Sequence, residues 1–299
     1  LWFKPTIFYV MLIDGKEISK KILKEISNDL HQISKNLGRP PSLSIILIGN
    51  NPASESYIKA KLKACSEVGI KGELIRFESD VNSNVLKDEI NNLNSNGNVD
   101  GIFLQLPIPK NLNEREMIEY IDPTKDVDGL TSENIGLLNS GNPRFVPATP
   151  FGIMEIFHRT GINLPGKKVV IIGRSNIVGR PLFALMSGRG ENSNSTVTLC
   201  HRNTKNLPEF TLKADIVIVA TGSVNIVDGS MIKNGAIVID VGINRVEDKS
   251  KKSGYKLVGD VDFESTKDKV SYITPVPGGV GPMTIAMLMK NVCNAAKKD

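Results

Sequence analysis

The chain has 299 residues, of which 40% are hydrophobic, 23% charged and only 5% aromatic, with a formal net charge of +5. This composition is globular, suits one or two domains, and excludes a disordered chain, a collagen and a disulfide-stapled mini-protein. The mild positive balance suits an anionic small molecule at least as well as nucleic acid, and no run of Lys and Arg reads as a nucleic-acid arm. Residues 1–10 read as a leader of uncertain status, Met11 being a better start than Leu1. Apolar positions then recur at Ile18, Ile22, Leu23, Ile26, Leu30 and Ile33, which predicts a helix over 16–35, stopped by Gly38-Arg39-Pro40-Pro41. The apolar run Leu43–Ile48 predicts a buried strand. Ser54 offers an N-cap for a helix through Val68, closed by Gly69. Leu74–Phe77 predicts a strand, Val85–Leu93 a helix, and Val99–Leu106 a third strand, cut off by Pro107 and Pro109. Strands alternating with helices argue for an α/β fold with a parallel sheet.

Pro143, Pro147 and Pro150 punctuate a change of unit. Phe151–Thr160 predicts a helix, and Lys168–Ile172 a strand that runs into Gly173-Arg174-Ser175-Asn176-Ile177-Val178-Gly179. Val197–Leu199, Ile216–Ala220 and Ala236–Val241 are further buried-strand runs, so this stretch reads as a mononucleotide-binding β-α-β series. Gly188–Ser195 reads as an exposed loop, Asp248–Lys256 as a solvated hairpin or loop, and Thr284–Ala296 as a final helix. No apolar stretch reaches the ~18–20 residues needed to span a bilayer. Cys65, Cys200 and Cys293 lie far apart and form no Cys-x-x-Cys, so reduced thiols in a cytosolic protein are the plain reading. His31, His158 and His201 form no metal-ligand set, and no hydrolase triad can be placed.

Five segments carry possible chemistry. Gly173-x-Ser175-x-x-x-Gly179 after a strand would let a phosphate approach backbone N–H groups at a helix N-terminus, although tight βα turns of any α/β protein use glycine. Arg202, just past the next strand, stands where a reader of the ribose 2′ position sits, or is a plain surface arginine. Tyr57 and Lys61, four apart, share one helix face; a buried lysine there could move protons near neutrality, or the pair is only surface. Gln105 closes a buried strand, where α/β sheets present ligand contacts. Asp126-Val127-Asp128-Gly129 offers two carboxylates to a metal or a nitrogen-rich heterocycle, or is a simple turn. Thr274-Pro-Val-Pro-Gly-Gly-Val-Gly-Pro-Met-Thr284 is a rigid loop able to line a cleft.

Taken together, SESYIKAKLKACSEVGI, GIFLQLPIP, KDVDGL, GRSNIVGRP, IDVGIN, GDVDF and TPVPGGVGPMT resemble, in order and spacing, the bifunctional methylenetetrahydrofolate dehydrogenase/methenyltetrahydrofolate cyclohydrolase family, FolD. The resemblance runs from Met11 to the C-terminus. It implies two domains around a cleft: a folate-binding catalytic domain of residues 11–150 and 275–299, and a Rossmann-like NADP domain of residues 151–274. It implies oxidation of 5,10-methylenetetrahydrofolate with NADP, then hydrolysis to 10-formyltetrahydrofolate, by a cytoplasmic homodimer that needs no metal, nucleic acid or membrane. By that resemblance Lys61 is the catalytic lysine, Gln105 holds it, Tyr57 positions the substrate, and Asp128 bonds the pterin. Pro275, Gly278, Gly279 and Val280 wall the folate site, and Gly173, Arg174, Ser175, Arg202 and Ile243 face the cofactor. A monofunctional dehydrogenase of the same fold and a non-catalytic folate- or nucleotide-binding regulator are the alternatives. Two departures from the family's common pattern bear on the cofactor. Ser187–Ser195 is a few residues longer than usual and would change cofactor preference if it reached the adenosine pocket, and Arg202 stands where many members carry serine.

Overall fold

The computed structural model describes residues 10–251 and 254–297, so the leader reading falls, but for its last residue, outside the described residues. The chain divides into two compact units. One holds the described residues up to Ile18 together with Thr149–Met283; the other holds Ser19–Ala148 and the chain from Thr284 onward.

In chain order, β1 (Met11–Leu12) leads into α1 (Gly15–Leu37). The Asp14 carboxylate caps this helix by accepting from the Glu17 N–H at 3.0 Å. Its residues Ile22, Ile26, Leu30 and Ile33 bury one stripe. After β2 (Ser42–Ile48), α2 spans Pro52–Val68. It starts two residues before the predicted cap. Proline fits the first helical position because it has no N–H to leave unpaired, and Ser54 is instead buried inside the first turn. Gly69, at φ +98°, ends α2, and its N–H and that of Ile70 both donate to the Cys65 carbonyl. β3 (Lys71–Phe77) follows, then α3 (Ser83–Ser95), capped by Asn82 and so beginning ahead of the predicted Val85. β4 (Gly101–Leu104) is shorter than predicted. The order β3-β2-β4 is a parallel sheet with the wholly buried β2 in its centre. Ile46, Ile48, Leu86, Ile90, Ile102 and Met117 pack one face of it. Two short helices, α4 (Glu114–Glu119) and α5 (Ser132–Asn139), carry no long apolar run and start on the side-chain caps of Asn113 and Thr131.

α6 (Ala148–Thr160) leads into the other unit, which takes it up from Thr149. It continues through β5 (Lys168–Ile172), α7 (Gly179–Ser187), β6 (Thr196–Cys200), α8 (Pro208–Thr211), β7 (Ile216–Val219) and β8 (Ile237–Asp240). An antiparallel hairpin of β9 (Asn244–Glu247) and β10 (Tyr255–Val258) comes next, then α9 (Phe263–Thr266), β11 (Tyr272–Ile273) and α10 (Val280–Ala296). Six strands form one parallel sheet in the order β1-β11-β8-β7-β5-β6. β5 therefore has its next strand, β6, on one side and β7 on the other. That reversal opens a crevice at the C-terminal ends of β5 and β7, the place where open α/β sheets bind ligands.

Residues 11–18 and 275–283 lie with this sheet, whereas the sequence reading joined them to the other unit. The cause is pairing: Met11 and Leu12 register against Tyr272 and Ile273 of β11, and the Lys16 N–H donates to the Gly278 carbonyl at 3.1 Å. α10 accordingly begins at Val280, four residues before the predicted Thr284. The 188–195 loop is not wholly exposed. It folds back on α7, with the Ser195 N–H on the Met186 carbonyl, and buries Ser193 and Ser195.

Candidate active site

α2 has one buried face made of Ile58, Lys61, Ala64, Cys65 and Val68. Lys61 is the lone charge in that stripe and is 5% exposed, while Lys59 and Lys63 face solvent. Its Nζ donates to Gln105 Oε1 at 2.8 Å and stands 3.6 Å from the centroid of the Phe103 ring. A cation over a desolvated ring is worth ~2 kcal/mol. Gln105 follows β4, where its N–H extends the ladder to the Ile46 carbonyl. Its Nε2 donates to the Leu106 carbonyl at 2.7 Å, which turns Oε1 toward the lysine. Tyr57 lies one turn before Lys61 on α2 and is 36% exposed.

The two carboxylates of Asp126-Val127-Asp128-Gly129 have separate fates. Asp126 is buried and accepts from the Thr131 N–H at 2.8 Å and from Asn134 Nδ2 at 2.9 Å, so its oxygens are used within the protein. Asp128 stays half-buried and accepts from the Ala148 N–H. Burial pushes the Lys61 ammonium down from 10.5 to about 8, against the pull of the Asp128 charge. Burial likewise pushes the Asp128 carboxyl up from 3.8 to about 6, offset by Lys61 and reinforced by Asp126. A lysine and a carboxylate that both titrate nearer neutrality suit proton transfer more than charge storage.

The other unit presents the glycine loop after β5. Gly173 holds φ +120°, and a Cβ there would lie 2.1 Å from the Ala220 carbonyl oxygen that follows β7. The loop is thus pressed against the end of β7 at the switch point, with Arg174 and Ser175 exposed beyond it. Ser175 Oγ accepts from the Val178 N–H at 3.2 Å and leads the chain into α7. Arg202 is exposed on a turn after β6, where the Thr204 N–H donates to the His201 carbonyl. An exposed backbone at a switch point with two arginines nearby fits a dinucleotide phosphate. The longer 188–195 loop precedes β6 and so lies at the opposite edge of the sheet from Gly173, away from this crevice. Pro275, Gly278, Gly279 and Val280 belong to the same unit as Gly173, and Ile243, 36% exposed, is there too. Gly278 has φ +115°, and a Cβ on Gly15 would meet the Gly279 carbonyl at 1.8 Å, so the start of α1 is the floor of this loop.

Sequence reasoning singled out no acid from Ile239–Asn244 or Gly259–Phe263. The structure shows Asp240 and Asp260 interlocked and buried. Asp240 accepts from the N–H groups of Gly242, Asp260 and Val261. Asp260 accepts from the Thr221 and Gly222 N–H groups and from Asn244 Nδ2. Gly242 and Gly259 leave the room: a Cβ on either would fall within 2 Å of the opposing carboxylate. Asp260 thereby ties down the Thr221–Gly222 turn beside Ala220. The available signal was an acid at a strand end with a glycine beside or two residues from it. Among the described residues no group of three or more His, Cys, Asp or Glu could hold a metal ion, and no helix is long and apolar enough to cross a membrane.

Known proteins match along nearly the whole chain. The family model described as tetrahydrofolate dehydrogenase/cyclohydrolase, catalytic domain, matches residues 13–128, and its NAD(P)-binding domain model matches residues 147–299. The bifunctional protein FolD of Bacteroides fragilis is 50% identical over 96% of this chain and 98% of its own length. The crystal structure of the bifunctional enzyme FolD from Campylobacter jejuni is 46% identical with a TM-score of 0.90, covering 96% of this chain and 99% of that one. That of Trypanosoma brucei FolD, complexed with NADP cofactor and inhibitor, is 37% identical with a TM-score of 0.91 over 96% and 97%. The chain belongs to the tetrahydrofolate dehydrogenase/cyclohydrolase family.

Proposed function

We propose that Lys61, Gln105 and Asp128 form the hydrolytic centre of a bifunctional enzyme that oxidises 5,10-methylenetetrahydrofolate with NADP and hydrolyses the methenyl product to 10-formyltetrahydrofolate. NADP, when bound, supplies the hydride acceptor, and the protein's own part in that step is orientation. Gly173, Arg174 and Ser175 hold the cofactor's phosphates, Arg202 the ribose 2′-phosphate, and Ile243 packs on the cofactor. Tyr57 positions the reacting region of the folate and Asp128 bonds its pterin; the family resemblance adds Pro275, Gly278, Gly279 and Val280 as folate contacts.

The observation that carries the reading is the buried lysine bonded to an amide oxygen. A neutral amine keeps N–H groups for Gln105 and has a lone pair free. Water adds its oxygen to the methenyl carbon and gives a proton to Lys61. Cleavage of the carbon–N5 bond, with protonation of N5, leaves the 10-formyl product and one net proton for solvent. An ordinary exposed lysine stays almost fully charged at neutral pH and has no such lone pair. The family resemblance extends the proposal to a homodimer acting in cytoplasmic one-carbon metabolism and purine biosynthesis.

Lys61→Ala tests the assignment. Decay of methenyltetrahydrofolate should fall to the buffer rate, while NADP affinity stays within about twofold, because Lys61 and Gly173 are built by different units. Hydrolysis at the rate of the unaltered chain would refute the role of Lys61.

A further inference from the structure

Asn291 lies on α10, is 1% exposed, and gives both hydrogens of its amide away. Nδ2 donates to the Val127 carbonyl at 2.8 Å and to the Val146 carbonyl at 2.8 Å. These carbonyls belong to two separate stretches of backbone. Val127 immediately precedes Asp128. Val146 stands two residues before Ala148, whose N–H bonds the Asp128 carboxylate. One planar amide thus fixes the distance between the backbone that carries Asp128 and the backbone that carries its hydrogen-bond donor.

We infer that Asn291 is a positioning residue for Asp128, acting through these two carbonyls and setting the direction in which the carboxylate meets the folate. The inference rests on the proposed pterin contact of Asp128. The other supports of this turn hold only one side of it. Asp126 ties it to Thr131 and Asn134, and the bridge between Ile102 and Asp126 ties it to β4. Besides the Ala148 N–H itself, Asn291 is what joins the turn to the 146–148 segment. Its geometry also assigns a task to the last helix of the chain, which supplies Asn291 to the backbone around Asp128.

Two variants read this out. Asn291→Ala removes both donors. Ala148→Pro removes only the N–H that bonds Asp128, at the first position of α6, where proline is tolerated. Both should raise the KM for methylenetetrahydrofolate about tenfold and leave the KM for NADP within about twofold. A purely structural role would lower the active fraction, and with it both apparent rates, at unchanged KM; that result overturns the inference. Should Asn291→Ala fail to fold, Asn291→Ser takes its place: its hydroxyl can serve only one of the two carbonyls, so the folate KM should still rise, and an unchanged KM overturns the inference. Asp128→Ala separates the two levels. If it raises the folate KM and the other two variants do not, the positioning role is wrong. If Asp128→Ala itself leaves that KM unchanged, the pterin contact is wrong and the positioning role goes with it.

Discussion

Asp240 and Asp260 differ in what their oxygens face, and two substitutions that look alike should therefore part company. Asp240 Oδ1 accepts from the Gly242 and Asp260 N–H groups, and Oδ2 from the Val261 N–H. Every partner is backbone and none can turn around. Asparagine at 240 would set an NH₂ against a fixed donor whichever way its amide lies, at a cost of ~1–3 kcal/mol. Asp260 instead gathers the Thr221 and Gly222 donors on Oδ2 alone and meets the side-chain amide of Asn244 with Oδ1. Asparagine at 260 can keep its oxygen where Oδ2 was, and Asn244 can flip to accept from the new NH₂, giving up only the long 3.5 Å bond from its Nδ2 to the Val258 carbonyl. Asp260→Asn should cost less than ~1 kcal/mol. Urea unfolding of both variants checks this; equal losses would show that the Asn244 amide is not free to reverse.

The elements differ in how far local sequence decides them. Apolar runs gave the strands β2, β5 and β7 because burial on both faces favours apolar residues throughout, the buried Ser44 being the one polar residue within the run Leu43–Ile48. Helix starts were less legible: Ser54 is a good cap by type, yet Pro52 begins the helix, and Asn82 wins over any signal near Val85. α4 and α5 escaped because they are short and rest on caps and tertiary packing instead of a periodic stripe. β1 and β11, two residues each, exist through pairing with each other and β8, which no local window contains. At the site, Lys61 and Gln105 could be named from type and spacing, but their hydrogen bond spans 44 positions of sequence. Asn291 gave no signal at all, since a buried asparagine in a helix is defined by what it reaches. The β5–α7 connection offers an element-scale test. Alanine at 173 meets both an unfavourable φ of +120° and the Ala220 carbonyl at 2.1 Å, so the loop must move. Gly173→Ala should weaken NADP binding about tenfold or more, as read by equilibrium titration. Unchanged affinity would take the cofactor's phosphates elsewhere.

For the molecule as a whole, the buried titratable groups set a pH profile of stability with a definite shape. Burial raises the Asp128 and Asp240 carboxyls from 3.8 to about 6. Between those values the folded chain holds more protons than the unfolded one, so stability falls as pH rises toward 6. Carboxyls held below their ordinary range, such as Asp215 beside the Lys168 N–H and Lys233, act in the opposite sense but only near and below pH 4.5. From pH 6 to 8 these groups leave the profile level. Lys61, pushed by burial from 10.5 to about 8, then reverses the sign: the unfolded chain holds the extra proton, and stability rises with pH. Above pH 9 the buried thiols oppose it. Cys65 is raised from 9.0 to about 12 and Cys293 to about 11, so each stays protonated in the fold while its unfolded counterpart ionises. The expected curve declines from about pH 4.5 to 6, is flat to 8, gains to about 9 and is lost beyond. Urea midpoints across that range measure it. Lys61→Met should erase the rise between 8 and 9, since methionine fills the same buried stripe without a proton to give up, and should carry the Asp128 part of the decline above pH 6, since the Lys61 charge no longer holds that carboxyl down. A rise that survives in Lys61→Met would assign the alkaline proton to another group and restore Lys61 to an ordinary, fully charged lysine.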